Sequence, residues 1–169
     1  MAYSTEINGT WTSKSLFNGS LYCIIYVNGK WIAGGGLDDL ENGAICYCDT
    51  PDGVWESNKI AGGVVRCIAY ADGNYVAGIE HTADLNYCGL SYCTSLSGTW
   101  GTRILWSGSE NSRAYGINNL VYADEKWAVG GQFYDGSASS GRIAFSNGAM
   151  LPTASGDFYT YIKAKEVRL

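Results

Sequence analysis

Apolar, turn-forming and polar positions follow one order three times along this chain. Tyr22 to Gly35 reads YCIIYVNGKWIAGG, Arg66 to Ile79 reads RCIAYADGNYVAGI, and Asn118 to Gly131 reads NNLVYADEKWAVGG. With Trp31, Tyr75 and Trp127 aligned, a tyrosine recurs five places earlier as Tyr26, Tyr70 and Tyr122, and a glycine three places later as Gly34, Gly78 and Gly130. Each copy predicts a hairpin, because Asn28-Gly29 and Asp72-Gly73 accept the positive φ angles of a two-residue type I′ turn. The third copy has Asp124-Glu125 instead. Glutamate meets a steric cost there that glycine avoids, so that turn is either of another type or strained.

A second segment follows each hairpin: AICYCDTPDGVW from Ala44 to Trp55, GLSYCTSLSGTW from Gly89 to Trp100, and RIAFSNGAM from Arg142 to Met150. Ile45, Leu90 and Ile143 match, as do Tyr47, Tyr92 and Phe145, then Cys48, Cys93 and Ser146. Every repeat therefore predicts strand, tight turn, strand, variable loop, strand, tight turn, strand. The reading is one repeat domain over 1–169, with repeats at about 17–60, 61–105 and 106–157. A four-stranded meander cannot bury both faces alone, so such units stack. At roughly 1.5 to 3 kcal/mol per fully buried large apolar side chain, the repeated aromatics dominate the stability.

Composition narrows the function. The chain has 169 residues, 46% apolar and 14% aromatic, with 23 glycines and 2 prolines, which marks an ordered, turn-rich fold. A net charge of −5 without a Lys/Arg cluster excludes nucleic acid as a partner. No apolar run approaches membrane-spanning length, and Met1 to Thr10 has no basic region leading into an apolar stretch. The expectation is no signal peptide and no membrane insertion, hence a cytoplasmic or virion/particle-associated protein. Asn8-Gly9-Thr10 and Asn18-Gly19-Ser20 then read as turns rather than glycosylation sites.

The segment Cys48-Asp49-Thr50-Pro51-Asp52-Gly53-Val54-Trp55, a strand ending in a small residue followed by an Asp-Gly turn and Trp, resembles the Asp-box of sialidase-like β-propellers. It is similar in the same way to uncharacterised repeats of bacteriophage tail and bacterial surface proteins. Gly53 and Gly98 sit two places before their tryptophans rather than three, and the third copy lacks both Asp and Trp, so the resemblance carries the fold and no catalytic residue. It implies an all-β chain of three four-stranded antiparallel propeller blades; three blades leave two open sheet faces carrying aromatic surface, so a six-bladed ring closed by homodimerisation is expected. The alternatives with three four-stranded units are the β-trefoil and β-prism monomers. Residues 1–16 hold an orphan N-terminal strand, since Gly9 to Leu16 resembles Gly98 to Leu105; Thr10 to Leu16 could complete the third repeat, within or between chains. Phe158 to Leu169 reads as an extra strand or a closing clasp.

The chemistry-bearing residues favour recognition over catalysis. Cys23 and Cys67 share one repeat place, as do Cys48 and Cys93, and their third-copy counterparts are Asn119 and Ser146. That pattern fits packing slots for free thiols. Cys46-Tyr47-Cys48 has no second pair at zinc spacing and His81 stands alone, so no metal and no cofactor are expected. Arg66, Arg103, Arg113, Arg142 and Arg168 fall at different repeat positions, against a sialidase-type arginine cluster. Asp38, Asp39, Glu41, Glu80, Asp84 and Asp135 could form a two-carboxylate glycosidase site, the less favoured reading.

The expected function is a non-catalytic module that recognises a glycan or cell-surface receptor on a phage-derived or bacterial particle. The alternatives are a structural subunit and a glycosidase-like enzyme. The tight turns at Asn28-Gly29, Asp52-Gly53, Asp72-Gly73 and Asp124-Glu125 lie on one face, and the longer, non-repeating connections on the other. There Trp106, Tyr115 and Tyr134 would stack on sugar rings, and Asp38, Asp84, Asn86, Asn111, Arg113 and Asp135 would hydrogen-bond hydroxyls.

Overall fold

A computed structural model describes residues 1–39, 42–80, 87–108 and 113–146, with only the backbone of Ala61 and Arg113. The described residues form four antiparallel sheets whose strands follow chain order. The first pairs β1 (Ala2–Tyr3) with β2 (Thr12–Ser13). The second holds β3 (Gly19–Val27), β4 (Lys30–Leu37), β5 (Asn42–Cys48) and β6 (Glu56–Ala61). The third holds β7 (Val64–Ala71), β8 (Asn74–Glu80), β9 (Tyr87–Cys93) and β10 (Gly101–Ser107). The fourth holds β11 (Arg113–Ala123), β12 (Lys126–Tyr134) and β13 (Ser139–Phe145). The last three sheets are called blades 1, 2 and 3. Stacked meanders of this kind are propeller-like. Among the described residues no helix is long and apolar enough to cross a membrane.

The repeated residues account for the repeated geometry. Asn28-Gly29 and Asp72-Gly73 turn their hairpins at positive φ, and Asp124-Glu125 does the same, at 49° and 59°. The third turn is thus of the same left-handed kind, with a glutamate strained at the place of a glycine. Just past the turn a ring pair repeats at matched register: Tyr26 with Trp31, Tyr70 with Tyr75 and Tyr122 with Trp127, with centroids 4.5 to 5.1 Å apart. Each first strand also carries a β-bulge at one place, between Leu21 and Cys23, Val65 and Cys67, and Ile117 and Asn119. The extra residues are Tyr22, Arg66 and Asn118.

Two cores fill the joints between blades. Ile32, Ile45, Tyr47, Val65, Ile68 and Tyr75 pack between blades 1 and 2; Cys67, Leu90, Trp106, Ile117, Leu120 and Trp127 pack between blades 2 and 3. In each joint the following blade's first strand fills the space beside a glycine, Val65 and Ile68 beside Gly34, and Ile117 beside Gly78. All six cysteines are free thiols. Cys23 Sγ donates to Gly34 O and Cys67 Sγ to Ile117 O, so both line the joints.

Several expected connections differ. The turn at Asp52-Gly53 is a wider loop from Asp49 to Trp55, closed by Gly53 N donating to Thr50 O and Trp55 Nε1 to Pro51 O. The link between blades 1 and 2 shrinks to Gly62-Gly63, whose φ angles of 90° and 132° allow the abrupt crossing between sheets. The N-terminal strand is no orphan: β2 pairs with β1, and Met1 N donates to Lys14 O. The third repeat's fourth strand, Met150 and Phe158 to Leu169 lie outside the described residues.

Candidate functional site

The second strand of each blade ends, and its first strand begins, at the edge expected to carry recognition. There the bulge residues bring three side chains together. Arg66 stands over the Tyr22 ring of blade 1, its Cζ 4.1 Å from the centroid. Its Nε and Nη2 both meet Glu80 Oε2, at the end of β8. Blade 3 closes the third side: a β-carbon on Gly116, at φ 145°, would lie 2.8 Å from Glu80 Cβ. Only glycine lets the backbone of β11 come this near. The cluster therefore spans Tyr22 of blade 1, Arg66 and Glu80 of blade 2, and Gly116 of blade 3.

Its electrostatics favour a fixed, neutralised cation. The Arg66 side chain is 29% exposed and that of Glu80 13%, so the pair is shielded more than a surface ion pair. The Tyr22 ring adds a cation–π contact, and the residue as a whole is 45% exposed. A guanidinium has five N–H donors, and the Nε–Nη2 edge is the one turned to Glu80. The arrangement offers an aromatic surface beside oriented donors, which suits hydroxyl or carboxylate recognition.

The expected site residues have mixed placements. Trp106 is corrected: it is 2% exposed, in the core between blades 2 and 3, and its ring fills the space beside Gly131. The cause is a register shift in β10 between Ile104 and Trp106, which turns Trp106 to the buried side. Tyr115 lies in β11, half-buried rather than in a loop. Arg113 pairs in register with Tyr134, and Asp135 follows, so these three share one strand end. Tyr134 is half-buried, and its hydroxyl donates to Gly136 O at 2.9 Å. Asp38 is exposed just past β4, its backbone N donating to Asn18 O. Asp84, Asn86 and Asn111 lie outside the described residues.

Asp135 is occupied by its own turn. Its Oδ1 accepts from Ala138 N, Ser137 N and Ser137 Oγ. Those donors, the Ala138 N–H first, pull its carboxyl down to about 2. It is therefore ionised near neutral pH and cannot act there as a general acid. Asp39 likewise closes a loop, accepting from Asn42 N and Nδ2.

Sequence reasoning missed Tyr22 and Arg66 as a pair. The signal was present in the alignment: Tyr22, Arg66 and Asn118 share a place that varies inside an otherwise repeated strand.

No family model and no curated protein matches the chain. Among solved structures it is similar to native Bacillus subtilis arabinanase Arb43A, at 16% identity and a TM-score of 0.37, over 76% of this chain and 72% of that one. A likeness this slight says nothing about activity.

Proposed function

We propose that the protein is a non-catalytic recognition module that binds a glycan, or a cell-surface receptor through its glycan, on a phage-derived or bacterial particle. In this reading two copies close one six-bladed ring. The observation that carries the binding role is the Tyr22–Arg66–Glu80 cluster, with a half-exposed tyrosine beside a guanidinium whose Nε–Nη2 edge is held by Glu80 and whose other edge would meet a hydroxyl or carboxylate. Asp38, Tyr115 and Tyr134 stand at the same strand ends as Glu80 and supply its rim. A glycan array, followed by calorimetry on Tyr22→Ala and Arg66→Ala, tests this. Each substitution is expected to weaken binding at least about tenfold, or about 1.4 kcal/mol. A ligand that both variants bind unchanged would place the site elsewhere.

A second reading, a structural subunit without a ligand, draws on the apolar residues left exposed on the outer faces of blades 1 and 3, Tyr26 and Phe145 among them. A blank array from a correctly assembled protein would favour it. Turnover of a sugar substrate would instead establish a hydrolase.

A further inference from the structure

The internal joints show what each open end of the stack accepts. Ile24, Ile68 and Leu120 hold one place in the first strand of the three blades. Ile68 and Leu120, covered by the preceding blade, are 6% and 8% exposed, whereas Ile24 is 42% exposed. On the opposite face Ile45, Leu90 and Ile143 hold one place in the third strand. Ile45 and Leu90, covered by the following blade, are 0% and 3% exposed, and Ile143 is 56% exposed. Val121, Phe145 and Ile143 line an apolar groove of about 270 Å³ around Gly130. The space beside Gly34 and Gly78 holds the next blade's first strand; beside Gly130 no described residue fills it.

The N-terminal hairpin marks the same boundary. Tyr3 and Trp11 align with Tyr47 and Trp55, and with Tyr92 and Trp100. Gly9 N donates to Glu6 O as Gly53 N does to Thr50 O and Gly98 N to Ser95 O. Lys14 Nζ reaches the Asp52 and Gly53 carbonyls of blade 1 as Asn58 Nδ2 reaches the Leu96 and Gly98 carbonyls of blade 2. Hence β1 and β2 dock on blade 1 as the outer strand pair of a blade. Its inner pair is absent among the described residues, and Ile24 and Tyr26 are left exposed.

We propose that blade 3 of one copy seats on this face of blade 1 in a second copy, head to tail, with Ile24 beside Gly130 and β2 serving as the fourth strand of the incoming blade. The proposal rests on the six-bladed ring reading above. The occupant is a second copy because each internal groove is filled by this chain's own first strand, and β3 is the first strand left without a groove. β1, only two residues long, yields its place beside β2 to β13. Phe145 then lies opposite Thr12, as Tyr47 lies opposite Glu56 and Tyr92 opposite Gly101. Two such joints about a two-fold axis close the ring.

Gly130→Leu fills the groove at a position where a β-carbon meets no described residue within 4 Å, and Ile24→Asp puts a carboxylate at an exposed place, so both leave the packing of the described residues in place. Light scattering during gel filtration is expected to give a dimer for the unmodified protein and a monomer for each variant, with circular dichroism unchanged. Val121→Asp on the same face replaces Gly130→Leu should that variant not fold. Mixing the two variants restores one joint, since the Gly130→Leu chain keeps Ile24 and the Ile24→Asp chain keeps Gly130, and the mixture is expected to dimerise. Variants that keep the dimer mass, or a mixture that stays monomeric, would overturn the joint and leave the ring reading standing. An unmodified protein of 18.2 kDa would overturn both.

Discussion

Gly34 and Gly130 hold the same place in blades 1 and 3, yet a β-carbon added at Gly34 would lie 2.5 Å from Val65 Cγ1, while one at Gly130 would meet no described residue within 4 Å. One sequence position therefore serves a filled joint in one blade and an open one in another. The two predict unequal responses to the same substitution. Gly34→Ala also meets Ile68 Cδ1 at 2.8 Å and Cys23 Sγ at 2.9 Å, a crowded site with little room to yield. Overpacking of that kind costs about 1 to 3 kcal/mol. In an Ile24→Asp background, where no second copy covers the position, Gly130→Ala is expected to stay within about 0.5 kcal/mol, as surface changes usually do. Urea unfolding of the two variants in that monomeric background measures both, and equal losses would refute the assignment of the joints.

Glu125, at φ 59°, occupies the place that Gly73 fills at 75° in the preceding blade. Glu125→Gly removes the left-handed strain of an L side chain, offset in part by the added freedom of the unfolded chain. A gain of up to about 1 kcal/mol in urea unfolding is expected. A loss of stability would show that the glutamate side chain contributes a contact of its own.

Strand order, hairpin turns and core positions were legible in the sequence because they repeat with the period of the blades. What escaped it follows from bulges, which change the face of a side chain without changing its spacing. Strict alternation along β10 puts Trp106 on the face of Ile104, which is exposed; the register shift between them puts Trp106 in the core. The bulge at Arg66 has the converse effect, bringing the guanidinium between Tyr22 and Glu80. β1 was overlooked because Ala2–Tyr3 is too short to carry a pattern.

The loop of blade 3 has an acid limit. Asp135 is held down at about 2 by Ala138 and Ser137, against about 3.9 in an unfolded chain. A lowered folded value means that its contribution is complete above the unfolded value and is lost as pH falls from about 4 through about 2. Carbon-detected NMR titration of the Asp135 carboxyl is expected to show a midpoint near 2. Asp135→Asn, which keeps an acceptor oxygen, should hold the turn and abolish that step, whereas a midpoint near 4 would deny the turn its role.

The cysteines are expected to be slow to react in the folded protein. Burial pushes the Cys23 and Cys46 thiols up to about 11, and Cys67, Cys88 and Cys93 up to about 12. The thiolate is the reactive species, so a thiol reagent near neutral pH should label them only as the chain unfolds, and six should be titrated in denaturant. Rapid labelling of Cys67 or Cys88 before unfolding would mean that the joint between blades 2 and 3 is open in solution.

That the stack of blades is open at both ends and closes on a second copy is tested most directly by small-angle X-ray scattering of the unmodified protein. Two copies in one ring give forward scattering for twice 18.2 kDa. A compact body of that size has a radius of gyration of about 20 Å, against about 15 Å for one compact chain. A concentration-independent mass of 18.2 kDa with the smaller radius would contradict the ring.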